Sequence, residues 1–229
     1  MIKKGLTGNQ LKLIAVIAMT VDHVGMELFP QYPILRIIGR LAHPIFAYMI
    51  AEGCRHTRSM PRYLGGVALS AVVCQIVYLV AMGSVYQCIL VTFSLSIGLI
   101  WLIQNAREKK TAAACGAAAA GFVLAVFICE GLPRLLSGTD FRVDYGIVGV
   151  LVPVLIYLGK GRRESFLMAA LGLVCLSAVY GIAQWFSLLA LPLLALYNGR
   201  RGKWKMKAFF YLYFPAHLLA LHIIQILFF

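Results

Sequence analysis

YLGGVALSAVVCQIVYLVAMG, residues 63–83, contains no charged side chain. A bilayer core about 30 Å thick needs about 20 apolar residues per helical crossing, so this stretch reads as a transmembrane helix. Working outward from it, apolar runs bounded by charge or turn residues recur near 11–29, 34–54, 86–105, 111–129, 145–159, 165–180, 182–197 and 208–228. The chain of 229 residues is 62% hydrophobic and only 13% charged, where a soluble domain averages roughly 25% charged. The expected fold is all-α: a polytopic transmembrane helical bundle of about nine spans, forming one domain over residues 1–229. As a single straight helix, residues 164–197 would be about 50 Å long, too long for one crossing. Gly181 is therefore expected to split them into a tight helical hairpin.

The net charge of +13 does not indicate nucleic acid, because the basic residues form short clusters between apolar runs. Lys3, Lys4 and Lys12 precede or open the first span; Arg55, Arg58 and Arg62 follow the second; Arg107, Lys109 and Lys110 follow the fourth. Lys160, Arg162 and Arg163 follow the sixth, and Arg200, Arg201, Lys203, Lys205 and Lys207 follow the eighth. The clusters fall at every second junction, so 17 of the 21 basic residues share one side. The positive-inside rule makes that side cytoplasmic, with the N-terminus inside and the C-terminus outside, in a multi-pass protein of a cell's inner or plasma membrane. The N-terminal segment begins like a signal peptide but lacks a small-residue cleavage site and carries Asp22 within its apolar run. It reads as a retained first helix. The six cysteines show no metal-ligand spacing and read as packing residues, so no metal is expected. The AAACGAAAAG run at 112–121 reads as small-residue helix packing, and Trp185 and Trp204 as interfacial belt or packing residues.

Charged groups inside a span cost about 2.5–3.5 kcal/mol each on insertion scales, which makes them candidate functional residues. Asp22 and His23 lie on span one, Arg36, Arg40 and His43 on span two, Asp144 and Tyr145 at the start of span six, and His217 and His222 on span nine. With spans one and two antiparallel, His23 and Arg40 lie at similar depths, about 9 Å below the outer ends of their helices. Arg36, Arg40 and His43 are spaced i, i+4, i+7 on one expected helical face, with Pro44 just beyond to kink the helix. An Asp22–Arg40 ion pair has an equally simple structural reading. A lone transmembrane histidine is more often a hydrogen-bond partner than a catalyst, but several in one layer favour function.

The segments LKLIAVIAMTVDHVG (11–25), RIIGRLAHPIFAYMIAEGCRHT (36–57), DYGIVGVL (144–151), LLALYNGRRG (193–202) and FFYLYFPAHLLAL (209–221) together resemble the TraX family. The resemblance implies acetyl transfer, because the family is named for a protein that N-acetylates the amino terminus of F-type pilin. Acetyl-CoA is the implied donor. TraX proteins are in turn similar to a wider group that includes the acyltransferase 3 family and heparan-α-glucosaminide N-acetyltransferase. In acyltransferase 3 proteins a basic residue and a histidine are separated by ten residues on the first helix. Lys12 and His23 have that separation, with Lys in place of the usual Arg.

On this resemblance His23 is the expected general base, with Asp22, Arg40, His43 and His217 completing the catalytic group. Arg40 either pairs with Asp22 or stabilises the oxyanion. Lys12, Arg55 and Arg58, with the later basic loops, are expected to hold the donor's phosphates. About 16 Å of helix separates Lys12 from His23, a distance that a pantetheine arm covers. The acceptor is expected to be a peptide or pilin-like amine, or a glycan hydroxyl, presented at the membrane. A rival reading is a proton-coupled or small-solute transporter using the same polar cluster. A non-catalytic membrane scaffold would leave that cluster unexplained.

Overall fold

The computed structural model describes residues 5–204 and 206–228. Lys3, Lys4, Lys205 and the side chain of Lys207, all members of the basic clusters, lie outside the described residues. Among those described, every one of the nine apolar runs is helical, and no strand is present beyond two isolated bridges. Helix α1 (Gly8–Glu27) is followed by α2 (Pro33–Gly39) and α3 (Ala42–His56), then α4 (Met60–Met82) and α5 (Ile89–Lys109). Helix α6 (Ala112–Val126) continues through a π-helical turn, Phe127–Gly131, into the short α7 (Leu132–Leu135). Helices α8 (Gly146–Leu158) and α9 (Arg162–Tyr180) follow, then α10 (Ile182–Trp185), a 3₁₀ turn (Phe186–Leu189), α11 (Ala190–Ala195) and α12 (Lys207–Phe228).

Local chemistry sets these boundaries. Thr7 and Gln10 form a reciprocal capping box at the start of α1. Ser59 caps α4, which carries Pro61 in its first turn, and Gly83 ends it with φ +62°. Thr111 caps α6 immediately after α5 ends. Gly181, at φ +82°, turns the chain from α9 into α10, as the length argument required.

The basic clusters gather at one end of the bundle. Residues from the turns after α3 and α8, the end of α5 and the 197–199 loop line one concavity there. The 196–204 loop also binds the start of α1 through Leu6 N–H to Leu196 O, Gly8 N–H to Arg200 O and Asn9 N–H to Arg201 O. At the opposite end, Gln87 exchanges backbone hydrogen bonds with Arg142 and Asp144, and the Gln225 amide reaches Glu27 O. The charge clusters at alternate junctions therefore share one end.

Six helices are long and apolar enough to cross a membrane by length and composition: Pro33–His56, Met60–Met82, Ile89–Lys109, Ala112–Leu135, Arg162–Tyr180 and Ala208–Phe228. Helix α1 has 20 residues but carries Lys12, Asp22 and His23. The segments Gly146–Leu158 and Ile182–Ala195 are shorter. At about 1.5 Å per residue each is near 20 Å, less than a bilayer core, so neither matches the full-length spans. Helix α8 instead forms part of the centre, where Val150 and Ile156 join Ile45, Ile97 and Ile100 in the core, all five fully buried. The outward faces are apolar, including Leu69, Val80, Ile182 and Leu227, as lipid requires.

The kink expected from Pro44 is present, because span two tightens at Arg40 and Leu41, while one other expectation needs correction. Arg40 N–H reaches both Arg36 O and Ile37 O, and Leu41 N–H reaches Ile38 O. Pro44 is the cause: it has no N–H to offer the Arg40 carbonyl, and its ring crowds that carbonyl. The small-residue run on α6 packs less than expected, since Ala112, Ala113, Cys115, Gly116 and Ala117 are exposed. Gly121 is the close approach, against Leu102 of α5.

Candidate functional site

Helices α1 and α2 pack as a close antiparallel pair because two glycines remove the side chains that would separate them. A Cβ on Gly25 would meet Leu35, and one on Gly39 would overlap Asp22. This contact brings Asp22 Oδ2 to 2.5 Å from Arg36 Nη1 and Asp22 Oδ1 to 3.5 Å from Arg40 Nη2. Of the two roles expected for Arg40, pairing is the one formed. Its remaining donors reach Arg36 O at 3.3 Å, the Tyr145 hydroxyl at 3.0 Å and Gln184 Oε1 at 3.3 Å. One guanidinium thus joins α1, α2, α8 and α10. Gln184, which sequence reasoning missed, sits on the return arm of the hairpin, with nothing local to mark it.

His23 lies on the next position of α1 and points elsewhere. Its Nδ1 is 2.6 Å from His217 Nε2 of α12, with the rings stacked at 4.9 Å. His217 Nδ1 lies 3.0 Å from the Tyr213 carbonyl. A carbonyl only accepts, so His217 Nδ1–H is the donor there. In a neutral ring His217 Nε2 then accepts from His23 Nδ1–H, leaving the unprotonated Nε2 of His23 as the atom able to take a proton. The Tyr213 hydroxyl is 2.7 Å from Thr20 Oγ1, which further ties α12 to α1.

His43 does not extend the arginine row. Beyond the tightened turn its ring lies tilted against Tyr145 at 4.5 Å and stacks on Phe93 at 5.9 Å. It is buried, and neither ring nitrogen has a hydrogen-bond partner among the described residues. His222 takes no part in these contacts. Asp144 instead accepts from the Tyr86 hydroxyl at 2.8 Å, while its backbone carbonyl accepts from Thr92.

A cavity of about 400 Å³ runs from the basic end toward the histidine pair. On α1 its wall is Gly8, Asn9, Lys12, Val16 and Met19, and His23 is the next residue of the same helical stripe. At the mouth Lys12 Nζ lies 5.5 Å from the Phe210 ring centroid, and Arg201 joins the lining. At the inner end stand Tyr213 and Phe214, with the Phe214 ring edge-on to both His23 and His217. Sequence reasoning named Lys12 but not the aromatic wall, because its residues come from helices distant in the chain.

The other two expected phosphate ligands differ from each other. Arg55 donates to Glu52 Oε1 at 2.7 Å, to Ser165 Oγ at 2.8 Å and to the carbonyls of Ile156, Tyr157 and Gly159. It clamps α3 to the end of α8. Arg58 is exposed and lines a separate basic concavity. Among the described residues no group of His, Cys, Asp and Glu is arranged to hold a metal ion.

Residues 7–225 match the family described as TraX protein. The probable fimbrial assembly protein FimC (serogroup H1) of Dichelobacter nodosus is 26% identical over 238 residues, covering 91% of each chain. An uncharacterized protein of Rickettsia prowazekii is 58% identical over 38 residues, covering 17% of this chain and 15% of its own. No solved structure shows a significant match.

Proposed function

The chain belongs to the TraX family, and from that premise we propose that it is a membrane-embedded acetyltransferase. It moves an acetyl group from cytoplasmic acetyl-CoA to an amine at the membrane, with a pilin-like peptide N-terminus as the favoured acceptor. The fimbrial-assembly name of its Dichelobacter nodosus relative supports that acceptor class. The observation that carries the reading is the cavity that starts at Lys12 and Arg201 and ends on the aromatic wall of the His23–His217 pair. Its basic mouth suits a diphosphate, its apolar length suits an acyl-pantetheine arm, and its inner end adjoins a base.

On this reading the basic end faces the cytoplasm, the donor enters there, and a turn of Phe214 exposes the thioester to His23. An α-amine has an ordinary pKa of about 7.7–8.0, so at neutral pH most of it must lose a proton before it attacks. The ammonium first gives one proton to solvent; the neutral amine nitrogen then bonds to the thioester carbonyl carbon, and His23 Nε2 takes the N–H proton that the tetrahedral adduct releases. The C–S bond then breaks, and the proton returns from His23 to the CoA sulfur. His217 Nε2, by accepting from Nδ1–H, orients His23 and stabilises its cationic form. Asp22, Arg36 and Arg40 fix the α1–α2 hairpin that carries the base. His43, with two uncommitted ring nitrogens, contacts the acceptor.

The test uses the full chain in detergent or nanodiscs. Thermal stabilisation by CoA and acetyl-CoA is measured first, then transfer of labelled acetyl to an N-terminal peptide of a pilin-like substrate. His23→Ala should retain the stabilisation while lowering transfer about 10²–10⁴-fold, the usual worth of a general base. Absence of CoA binding, together with unimpaired biological activity of His23→Ala, sinks the enzyme reading.

A further inference from the structure

Beside the apolar cavity, at the same end of the bundle, lies a second and larger concavity of about 890 Å³. The two share Glu52, His56, Thr57, Tyr197 and Gly199 in their walls, so they adjoin. Their chemistry differs. Arg58, Arg107, Lys160 and Arg162 line the second, each exposed and each from a different turn or helix end except the last pair, which flank one turn. Arg55, also in its wall, is committed to Glu52 and to the end of α8, and Arg162 spends one Nη2 donor on Ala195 O at 2.6 Å.

Uncharged groups in that wall are equally specific. Trp101 and Tyr157 line the concavity, the Tyr157 ring with the Arg55 guanidinium 5.8 Å from its centroid. Gln104 donates its side-chain N–H to Glu108 Oε1 at 2.8 Å, which identifies the other amide atom as oxygen. That Oε1 is buried and has no hydrogen-bond partner among the described residues. An acceptor without a partner among those residues, which a turn of the Gln104 side chain would bring to the cavity, beside two aromatic residues, four cations and the carboxylates of Glu52 and Glu108, suits a purine with an exocyclic amino group that also carries phosphate.

We propose that this vestibule holds the 3′-phosphoadenosine end of the donor, with Gln104 Oε1 accepting from the adenine amino group and Arg58, Arg107, Lys160 and Arg162 holding the 3′-phosphate. The diphosphate crosses the shared wall and the pantetheine arm lies in the apolar cavity. The assignment rests on the acetyl-CoA reading for its ligand but not for its geometry.

Adenosine 3′,5′-bisphosphate, CoA and dephospho-CoA are titrated calorimetrically into the purified full chain. CoA should bind about tenfold to a hundredfold more tightly than dephospho-CoA, the range expected for hydrogen bonds to a charged group. Adenosine 3′,5′-bisphosphate should compete with CoA, and the guanosine analogue, which presents a carbonyl to Gln104, should compete poorly. The double variant Arg58→Gln, Arg107→Gln should bring the CoA to dephospho-CoA ratio close to one. Both side chains are exposed, and retained stabilisation by acetyl-pantetheine confirms that the double variant is folded. Gln104→Leu should remove the preference for adenine over guanine.

Equal binding of CoA and dephospho-CoA overturns the vestibule assignment and leaves the acetyl-CoA reading standing. Binding of the bisphosphate with no binding of CoA does the reverse. Binding of none of the three overturns both.

Discussion

Asp22 and His23 are neighbours in sequence with separate partners. On a helix adjacent side chains diverge by about 100°. Asp22 therefore meets Arg36 and Arg40 on α2, while His23 meets His217 on α12. Asp22 and Arg40 side chains are each 16% exposed, so the attraction is only weakly screened by solvent. Removing one partner of a buried pair leaves an uncompensated charge. Asp22→Ala should accordingly lower stability by about 3 kcal/mol, read as thermal unfolding in detergent. The triple variant Asp22→Leu, Arg36→Met, Arg40→Met, which removes both cations with the carboxylate, should recover much of that loss; if it falls further than the single change, the ion pairs are not what stabilises this contact. The candidate residues were visible in the sequence as charges where lipid belongs. The His23–His217 pair was not, because 194 positions separate its members and no local pattern encodes which helix lies beside α1.

Helix packing is decided by residues that lack side chains as much as by those that have them. Gly39→Ala places a methyl group where Asp22 sits. It should destabilise the chain by about 1–3 kcal/mol, as overpacking does, and loosen the carboxylate from both arginines. Gly98→Ala on α5 is the control, since a Cβ there meets nothing within 4 Å. That substitution should be neutral or stabilising by about 0.5–1 kcal/mol, because alanine loses less entropy than glycine in a helix. Equal effects at the two sites would refute the close-packing account. Pro44 shows a different element-scale effect: its place in the sequence foretold a kink, yet the consequence for His43 needed the fold. The tightened turn redirects His43 to Phe93 and Tyr145, which come from α5 and the start of α8.

A loop contact at the end away from the basic clusters makes a pH prediction. The Ser84 hydroxyl and the Val85 amide both donate to Asp140, at 2.5 and 3.0 Å. These bonds, the Ser84 hydroxyl first, hold the Asp140 carboxyl below its ordinary value of 3.8. A carboxylate whose value is lowered in the folded chain contributes fully above 3.8 and loses that contribution as pH falls through the lowered value. Hydrogen exchange at the Val85 amide should thus be slow at pH 5 and accelerate only below 3.8, once intrinsic pH effects are divided out. Asp140→Asn should abolish the acid-dependent step. Acceleration already near pH 5 would contradict it.

At the scale of the whole molecule, the chain brings its basic junctions to one end and its mixed-sign loops to the other. On the positive-inside rule we propose that the basic end faces the cytoplasm. In a background with native cysteines replaced, Arg163→Cys should be protected from an impermeant thiol reagent in intact cells and Ser137→Cys should be labelled. The opposite pattern would invert the assigned topology, and with it the side from which the donor enters. The helical, apolar segments were legible because hydropathy acts on each segment separately, and the gathering of the basic junctions at one end because charge does too. The two short segments were less legible, because a helix such as α8 that is covered by protein need not match the bilayer in length. Composition and periodicity alone determined that this is a helical membrane protein, and its intramembrane charges marked the candidate site. Which histidine meets which, how Arg55 and Arg58 part in role, and where two cavities join were decided only by tertiary packing. Such contacts depend on the relative rotation and approach of whole helices, a collective property that no single segment carries.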